Sequence, residues 1–237
     1  MEKLIYVLWC APDHARSVLT RTLLTTVADR LAADRAVERI QINVRDDAVS
    51  DGRSIEQGED LPDAVVSLWL PSAHAAARVE KIIRPHAGRL AAYSVVESTV
   101  LPHSARPSAG ERSEGFSQLA FFTRRSGLDP FEFRETWMCQ HTAVAIETQE
   151  TFHYTQNIVN RPLTDAAPAW DGIVDEWYPI GALTDPLVYW KAEGSPATQQ
   201  LNYERETASV LRFADLNGMA LIVTSAYRIG AWCDAPL

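Results

Sequence analysis

The strongest constraint in this sequence is an order of segments that occurs twice. Residues 4–9 form a short apolar run that reads as a strand. Pro12-Asp13 opens a helix to about residue 33, with Leu19, Leu23, Leu24 and Val27 near helical spacing. Residues 37–44 alternate, with Ile40 and Ile42 against Gln41 and Asn43, and read as a half-buried strand. Residues 45–62 are polar and aperiodic and read as a loop. A strand over 64–70, a helix over 72–83 with Ser72 as N-cap, and a strand over 90–101 complete β-α-β-β-α-β. After a polar stretch the same order returns: strand 116–123, helix from Asp129-Pro130 to about 149, strands 151–160 and 172–178, helix 198–213, strand 219–229.

The stretch between the copies, 102–114, contains two prolines and a glycine and few large apolar residues, and reads as a linker. Residues 1–101 and 115–237 are therefore expected to be two halves of one duplicated plan. Short matches support this. Asp63-x-x-Val66-x-x-Trp69 returns as Asp171-x-x-Val174-x-x-Trp177, and Gln41-x-x-Val44 as Gln156-x-x-Val159. A β-α-β-β-α-β unit places both helices on one face of an antiparallel sheet and leaves the other face bare. Duplication supplies the cover within one chain, sheet facing sheet.

Charge narrows the partners. Against 22 Lys and Arg stand 31 Asp and Glu, a net charge of −9, and an acidic surface repels phosphate backbones and anionic lipid. No run approaches bilayer-spanning length, and the N-terminal apolar run is too short for a secretory leader. Cys10, Cys139 and Cys233 are odd in number, far apart and free of C-x-x-C, which fits a reducing cytoplasm rather than a disulfide framework. There is no G-x-G-x-x-G, phosphate-loop, G-x-S-x-G or H-E-x-x-H motif, so no cofactor or metal is expected.

The second half holds the informative motifs. Phe133-x-x-x-Trp137-x-x-x-His141-x-x-x-Ala145 lies on its first helix, followed by Tyr154-x-Gln156-Asn157, Asp171-Gly172-x-x-Asp175-Glu176-Trp177 and Phe213-x-Asp215. This ordered set resembles the EthD family of the dimeric α+β-barrel superfamily. The resemblance implies an α+β fold in which two ferredoxin-like halves form an intrachain dimeric barrel, either as a monomeric pseudo-dimer or as a homodimer of such chains. Members of the superfamily include decarboxylases, dehydratases, cyclases, lactone isomerases, quinone-forming monooxygenases and haem proteins, so fold does not choose the reaction. The first half lacks the motif: the positions matching Trp137 and His141 fall near Thr22 and Thr26.

Residues four apart on a helix stack one turn above another, so Phe133, Trp137, His141 and Ala145 form one stripe that is apolar except for the imidazole. Such a histidine is either a satisfied core residue, bonded to Tyr154 or a backbone carbonyl, or a residue facing a cavity. Its ordinary pKa of about 6.5 suits proton transfer. Alternation puts Tyr154 on the face opposite His153 and makes it the companion of the stripe. Glu176 either orients His141 or sits in a surface ion pair. A metal triad of His141, His153 and Glu176 is disfavoured because His153 faces the other way.

The site expected from these readings has His141 and Tyr154 as catalytic groups, with Trp137, Asn157, Glu176 and Phe133 binding substrate. The expected function is a cofactor-independent lyase, a decarboxylase or a related elimination or cyclisation enzyme, acting on an aromatic or polyketide-like small molecule. A non-catalytic hydrophobic-ligand module and a cofactor-free quinone-forming monooxygenase are the alternatives.

Overall fold

In the computed structural model, residues 1–103, 110–230 and 232 are described; the middle of the expected linker and Cys233 lie outside them. Eight strands form one closed barrel. They are β1 (Glu2–Trp9), β2 (Arg39–Val44), β3 (Ala64–Leu70), β4 (Arg89–Leu101), β5 (Phe116–Arg124), β6 (His153–Pro162), β7 (Gly172–Tyr178) and β8 (Ala214–Gly230). Around the barrel they run β1-β3-β2-β8-β5-β7-β6-β4, every pair antiparallel. Within each half the first and third strands are central and the second and fourth are edges.

The edges close the barrel. β2 pairs with β8 and β4 with β6, joining the halves through two hydrogen-bonded seams. These ladders make the closed barrel that the resemblance implies. Four strands in each half would leave four edges of unpaired backbone groups, and closure removes all of them.

Period-two patterning then assigns each side chain to one of two compartments. On β1, Leu4, Tyr6 and Leu8 face outward onto helices, while Ile5, Val7 and Trp9 point into the barrel. The helices cover the outside. α1 comprises the consecutive segments Arg16–Thr22, Leu23–Val27 and Ala28–Ala32, and α2 is Ala76–Ile83. α3 comprises Pro130–Arg134, Glu135–His141 and Thr142–Thr148; a short α4 is Pro186–Tyr189, and α5 is Pro196–Val210. Asp129 starts α3 with a capping box, its side chain accepting from Phe131 N and Glu132 N while Glu132 reaches back to Asp129 N. Both α1 and α3 contain a widened π-helical turn, Leu23–Val27 and Glu135–His141.

The repeated Asp positions have matching roles. Asp63 N donates to Leu8 O while its carboxylate accepts from Cys10 N; Asp171 N donates to Phe122 O and its carboxylate accepts from Arg124 N. Each aspartate thus ties the start of a third strand to the end of a first strand. The glutamine match has no such basis. Gln41 pairs with Ser67 but Gln156 with Val174, so the two stand one position out of register and face opposite sides. Gln41 points into the barrel, and Gln156 donates outward to Thr142 Oγ1 at 2.7 Å.

One end of the barrel interior is apolar, built on Trp9, Tyr93, Phe121 and Trp170. The other is a buried polar network centred on Asp175. Its carboxylate accepts from Gln41 Nε2 at 2.7 Å, Ser117 Oγ at 2.7 Å and Trp177 Nε1 at 2.8 Å. Asn43 extends the network to Ser117 and Thr224. Two of these residues come from β2 and the rest from β5, β7 and β8, so the network spans the β2–β8 seam. Asp175→Ala would strand three buried donors and is expected to cost on the order of 3 kcal/mol. Urea unfolding of the variant measures this, and a midpoint equal to wild type would show that the network is not stabilising.

Candidate active site

The outer face of the second half's sheet does not close onto its helices. Between β5, β7 and the lower parts of α3 and α5 lies a cavity of about 530 Å³. The α3 stripe supplies Trp137 and His141, β6 supplies Tyr154, and β5 and β7 supply Gln118 and Glu176. Glu206 enters from α5, and Tyr189 and Trp190 from α4 and the residue after it. His141 ends the π-helical turn, where the ladder is widened and Trp137 O accepts from both the Thr142 N–H and, at 3.1 Å, Thr142 Oγ1. Gly172 is required beneath the indole: a Cβ there would stand 2.6 Å from the Phe122 ring and 3.0 Å from that of Trp137.

The expected residues separate into two sets. Trp137, His141, Tyr154 and Glu176 share the cavity. Phe133 is buried among Phe122, Trp137 and Phe213 and lies behind the lining. Asn157 is a correction. Three positions after Tyr154 on the same strand, it points to the opposite side of the sheet, where its Nδ2 donates to Ile173 O. His153 also faces the barrel, bonded through Nε2 to Thr155 Oγ1, and burial holds its pKa down to about 3. The His141, His153 and Glu176 triad therefore does not assemble, and among the described residues no cluster of His, Cys, Asp or Glu could hold a metal ion.

His141 is oriented by α5 and not by Glu176. Its Nδ1 stands 3.1 Å from Ser209 Oγ, and its Nε2 is 3.5 Å from Glu206 Oε1. Burial, with Arg212 adding repulsion, lowers its pKa to about 4, so the ring is neutral at pH 7 and able to accept a proton. Burial also raises Glu206 to about 7, against a hydrogen bond from Thr148 and the attraction of Arg205. Glu176 is raised to about 8 by burial, then by the charge of Glu206. Gln118 Nε2 lies 3.4 Å from Glu176, and Gln118 Oε1 accepts from Tyr189 OH at 3.0 Å. Burial, with the two glutamates adding to it, keeps the Tyr154 phenol protonated far into the alkaline range.

Sequence reading did not find Glu206 or Ser209. They lie three apart on α5, whose buried face is Asn202, Glu206 and Ser209 rather than an apolar stripe. A second omission is the wall. The stretch expected as a plain loop contains a 3₁₀ helix, Asp47–Ser54, and crosses to the other half: Gln57 and Leu221 exchange backbone hydrogen bonds at 2.8 and 3.0 Å. Ser54, Ile55 and Gln57 line the cavity. The half-buried Arg45–Glu56 ion pair at 2.5 Å anchors this crossing. Gly52 permits it, since a Cβ would sit 2.4 Å from Leu183 Cδ2.

The first half has no counterpart. Where α3 carries Trp137 and His141, the wide turn of α1 presents Leu23 and Val27, both fully buried in a continuous apolar cluster. Thr22 and Thr26, the positions expected to correspond, are half-buried and exposed.

An eight-stranded antiparallel α+β barrel with a cavity between the second half's sheet and helices is the class of protein this geometry defines. Residues 125–216 match the family model of the EthD domain. No curated protein matches the sequence. Among solved structures, an anthrone oxidase-like protein superposes with a TM-score of 0.57 at 9% identity, covering 100% of this chain and 96% of its own. A candidate chlorite dismutase gives 0.52 at 11% identity, with 95% of each chain covered. At these identities the likeness establishes the barrel fold. Among the described residues no helix is long and apolar enough to cross a membrane.

The buried acids make stability pH-dependent. Glu176 and Glu206 bind protons more tightly folded than unfolded, so their contribution is full below the ordinary carboxylate pKa and is lost as pH rises through about 7 to 8. His141, depressed to about 4, acts oppositely, losing its contribution as pH falls from about 6.5. Stability is therefore expected to decline most steeply from about pH 6.5 to 8 and to level off above that, and Glu176→Gln should flatten the decline. Urea melts across this range check it; a slope unchanged in the variant would show that Glu176 ionises normally.

Proposed function

We propose that the protein is an enzyme that moves a proton on an aromatic or polyketide-like small molecule within the second-half cavity. The observation that carries this is a neutral imidazole, His141, fixed by Ser209 and facing Glu206 inside an aromatic-walled cavity of about 530 Å³. His141 accepts a proton from an acidic C–H or O–H. Glu206, poised near neutrality, stabilises the imidazolium that forms, and Tyr154, whose phenol stays protonated, donates to the substrate oxygen where charge develops. Trp137 and Phe213 stack 13° from parallel and supply the flat wall. Two ferredoxin-like halves, 1–101 and 115–237, working as an intrachain dimer are part of this reading.

The reaction class that fits is a lyase-type elimination or cyclisation through an enol or phenolate. Decarboxylation fits less well. None of the lining residues is Lys or Arg, and an entering carboxylate would meet two glutamates. The residues do not fit a haem: both His141 nitrogens face side-chain partners, and no cation lines the cavity for propionates. The anthrone oxidase-like neighbour motivates a second reading, in which the carbanion formed by the same proton abstraction reduces dioxygen.

Both readings begin with deprotonation, which is measurable alone. Wild-type protein in D₂O should accelerate exchange at the acidic carbon of anthrone- and tetralone-type ketones, followed by NMR. His141→Gln, which keeps volume and a bond to Ser209, is expected to lower that rate about a hundredfold or more with melting temperature nearly unchanged. An oxygen electrode and a carbon dioxide trap on the same samples separate oxidation, decarboxylation and simple elimination. Exchange that survives in folded His141→Gln would remove His141 from the chemistry.

A further inference from the structure

The cavity holds an imbalance that proton transfer by His141 leaves unexplained. Glu176 and Glu206 both line it, and both side chains are buried. The groups bonded to them donate: Thr148 Oγ1 to Glu206 at 3.3 Å and Gln118 Nε2 to Glu176 at 3.4 Å. Donors aimed at carboxyl oxygens suit the ionised form. Yet no lining residue is cationic. The nearest basic groups are committed elsewhere, Arg205 to Glu147 at 2.7 Å on the exposed face of α5, and Arg212 to Gln140. The other titratable groups facing the two acids are His141, Tyr154, Tyr178 and Tyr189, and Asp175 lies on the opposite side of the sheet; none brings positive charge at neutral pH. Rings of Trp137, Tyr189, Trp190, Tyr203 and Phe213 wall the same space.

Two buried carboxylates with no Lys or Arg beside them in the cavity wall, enclosed by aromatic faces, offer what a cation would need. We propose that the molecule taken by this cavity carries a basic amine, its ammonium held by Glu176 and Glu206 among the aromatic walls. This rests on the reading of the cavity as the substrate site and specifies the substrate class as an aromatic or polyketide-like amine. An ammonium supplies the charge that protons otherwise supply, so its binding expels protons from the two acids. A neutral analogue gains the ring contacts alone, and an anionic one meets repulsion.

Three probes with one ring system isolate the charge: 1-naphthylmethylamine, 1-naphthylmethanol and 1-naphthoate, titrated by calorimetry and tryptophan fluorescence. At about pH 7.5 the amine should bind about tenfold or more tightly than the alcohol, and the acid should bind more weakly than either. Amine binding should release protons, seen as a heat that depends on buffer ionisation. The amine-to-alcohol ratio should shrink from about pH 8 to pH 5 as the carboxyls protonate. In the Glu176→Gln/Glu206→Gln double variant the ratio should fall to about one while alcohol affinity persists, which also reports a folded cavity. An alcohol that binds as tightly as the amine, an amine preference that survives in the double variant, or failure of all three probes to bind would overturn the proposal. Amine preference without deuterium exchange would retain the receptor and discard the proton-transfer reaction; exchange without amine preference would do the reverse.

Discussion

Everything in this molecule depends on pairing four sheet edges. A four-stranded sheet whose first and third strands are central ends in two rows of unsatisfied N–H and C=O groups, and two such sheets have four. Here β2 meets β8 and β4 meets β6, and no edge remains. Closure makes the backbone self-sufficient, so side chains on the two sides of the wall are free to specialise. Inward positions hold an apolar end and an Asp175-centred polar end, while outward positions meet the helices. The Asp175 network has donors from both halves, and so adds side-chain specificity to a seam whose backbone ladder alone would tolerate a shifted register.

One topology has been used for two purposes. The first half's outer face is an apolar cluster: Leu4, Tyr6, Leu8, Ile40, Ile42 and Val66 pack on Leu19, Leu23, Val27 and Leu31, and the Tyr6 hydroxyl donates to Ala76 O. The second half gives up such burial for a cavity holding His141, Glu176 and Glu206. Desolvating these groups is unfavourable, and the displaced pKa values are that cost expressed as proton affinity. The apolar sheet–helix packing of the first half and the shared barrel supply stability that offsets this cost.

What could be read from sequence follows from how far each signal reaches. Element order and the Trp137–His141–Ala145 stripe are local periodicities, and the helix and its buried face follow from them. Tyr154 follows from alternation on one strand. The same alternation, carried three residues further, places Asn157 inside the barrel, and assigning it to substrate conflicted with that geometry. Glu206 and Ser209 were illegible for a different reason. On α5 the buried face is itself polar, so a hydrophobic period cannot distinguish it from solvated positions such as Glu204 and Arg205. The Gln41 and Gln156 match misled because pattern matching along a strand ignores facing, and one residue of register exchanges the two sides. Residues 45–62 lacked any period because their order comes from distant partners: Leu221, Val223 and Ser225 on β8.

That last segment explains how the two halves become one functional unit. It leaves β2 in the first half, bonds to β8 of the second and contributes Ser54, Ile55 and Gln57 to the cavity wall. In a symmetric dimer of single units the same segment would have to serve both sites identically. In one chain, only the copy following β2 needs to make the crossing, and the region between β6 and β7 can take another course, with Trp170 packing on Trp9 and Tyr93 in the apolar end of the barrel. The asymmetry of the site is therefore built from the asymmetry of two loops on a nearly symmetric frame. It follows that the cavity's shape depends on the Arg45–Glu56 ion pair and on Gly52, residues outside the EthD-matching segment, and that an isolated second half would lack one wall of its own site.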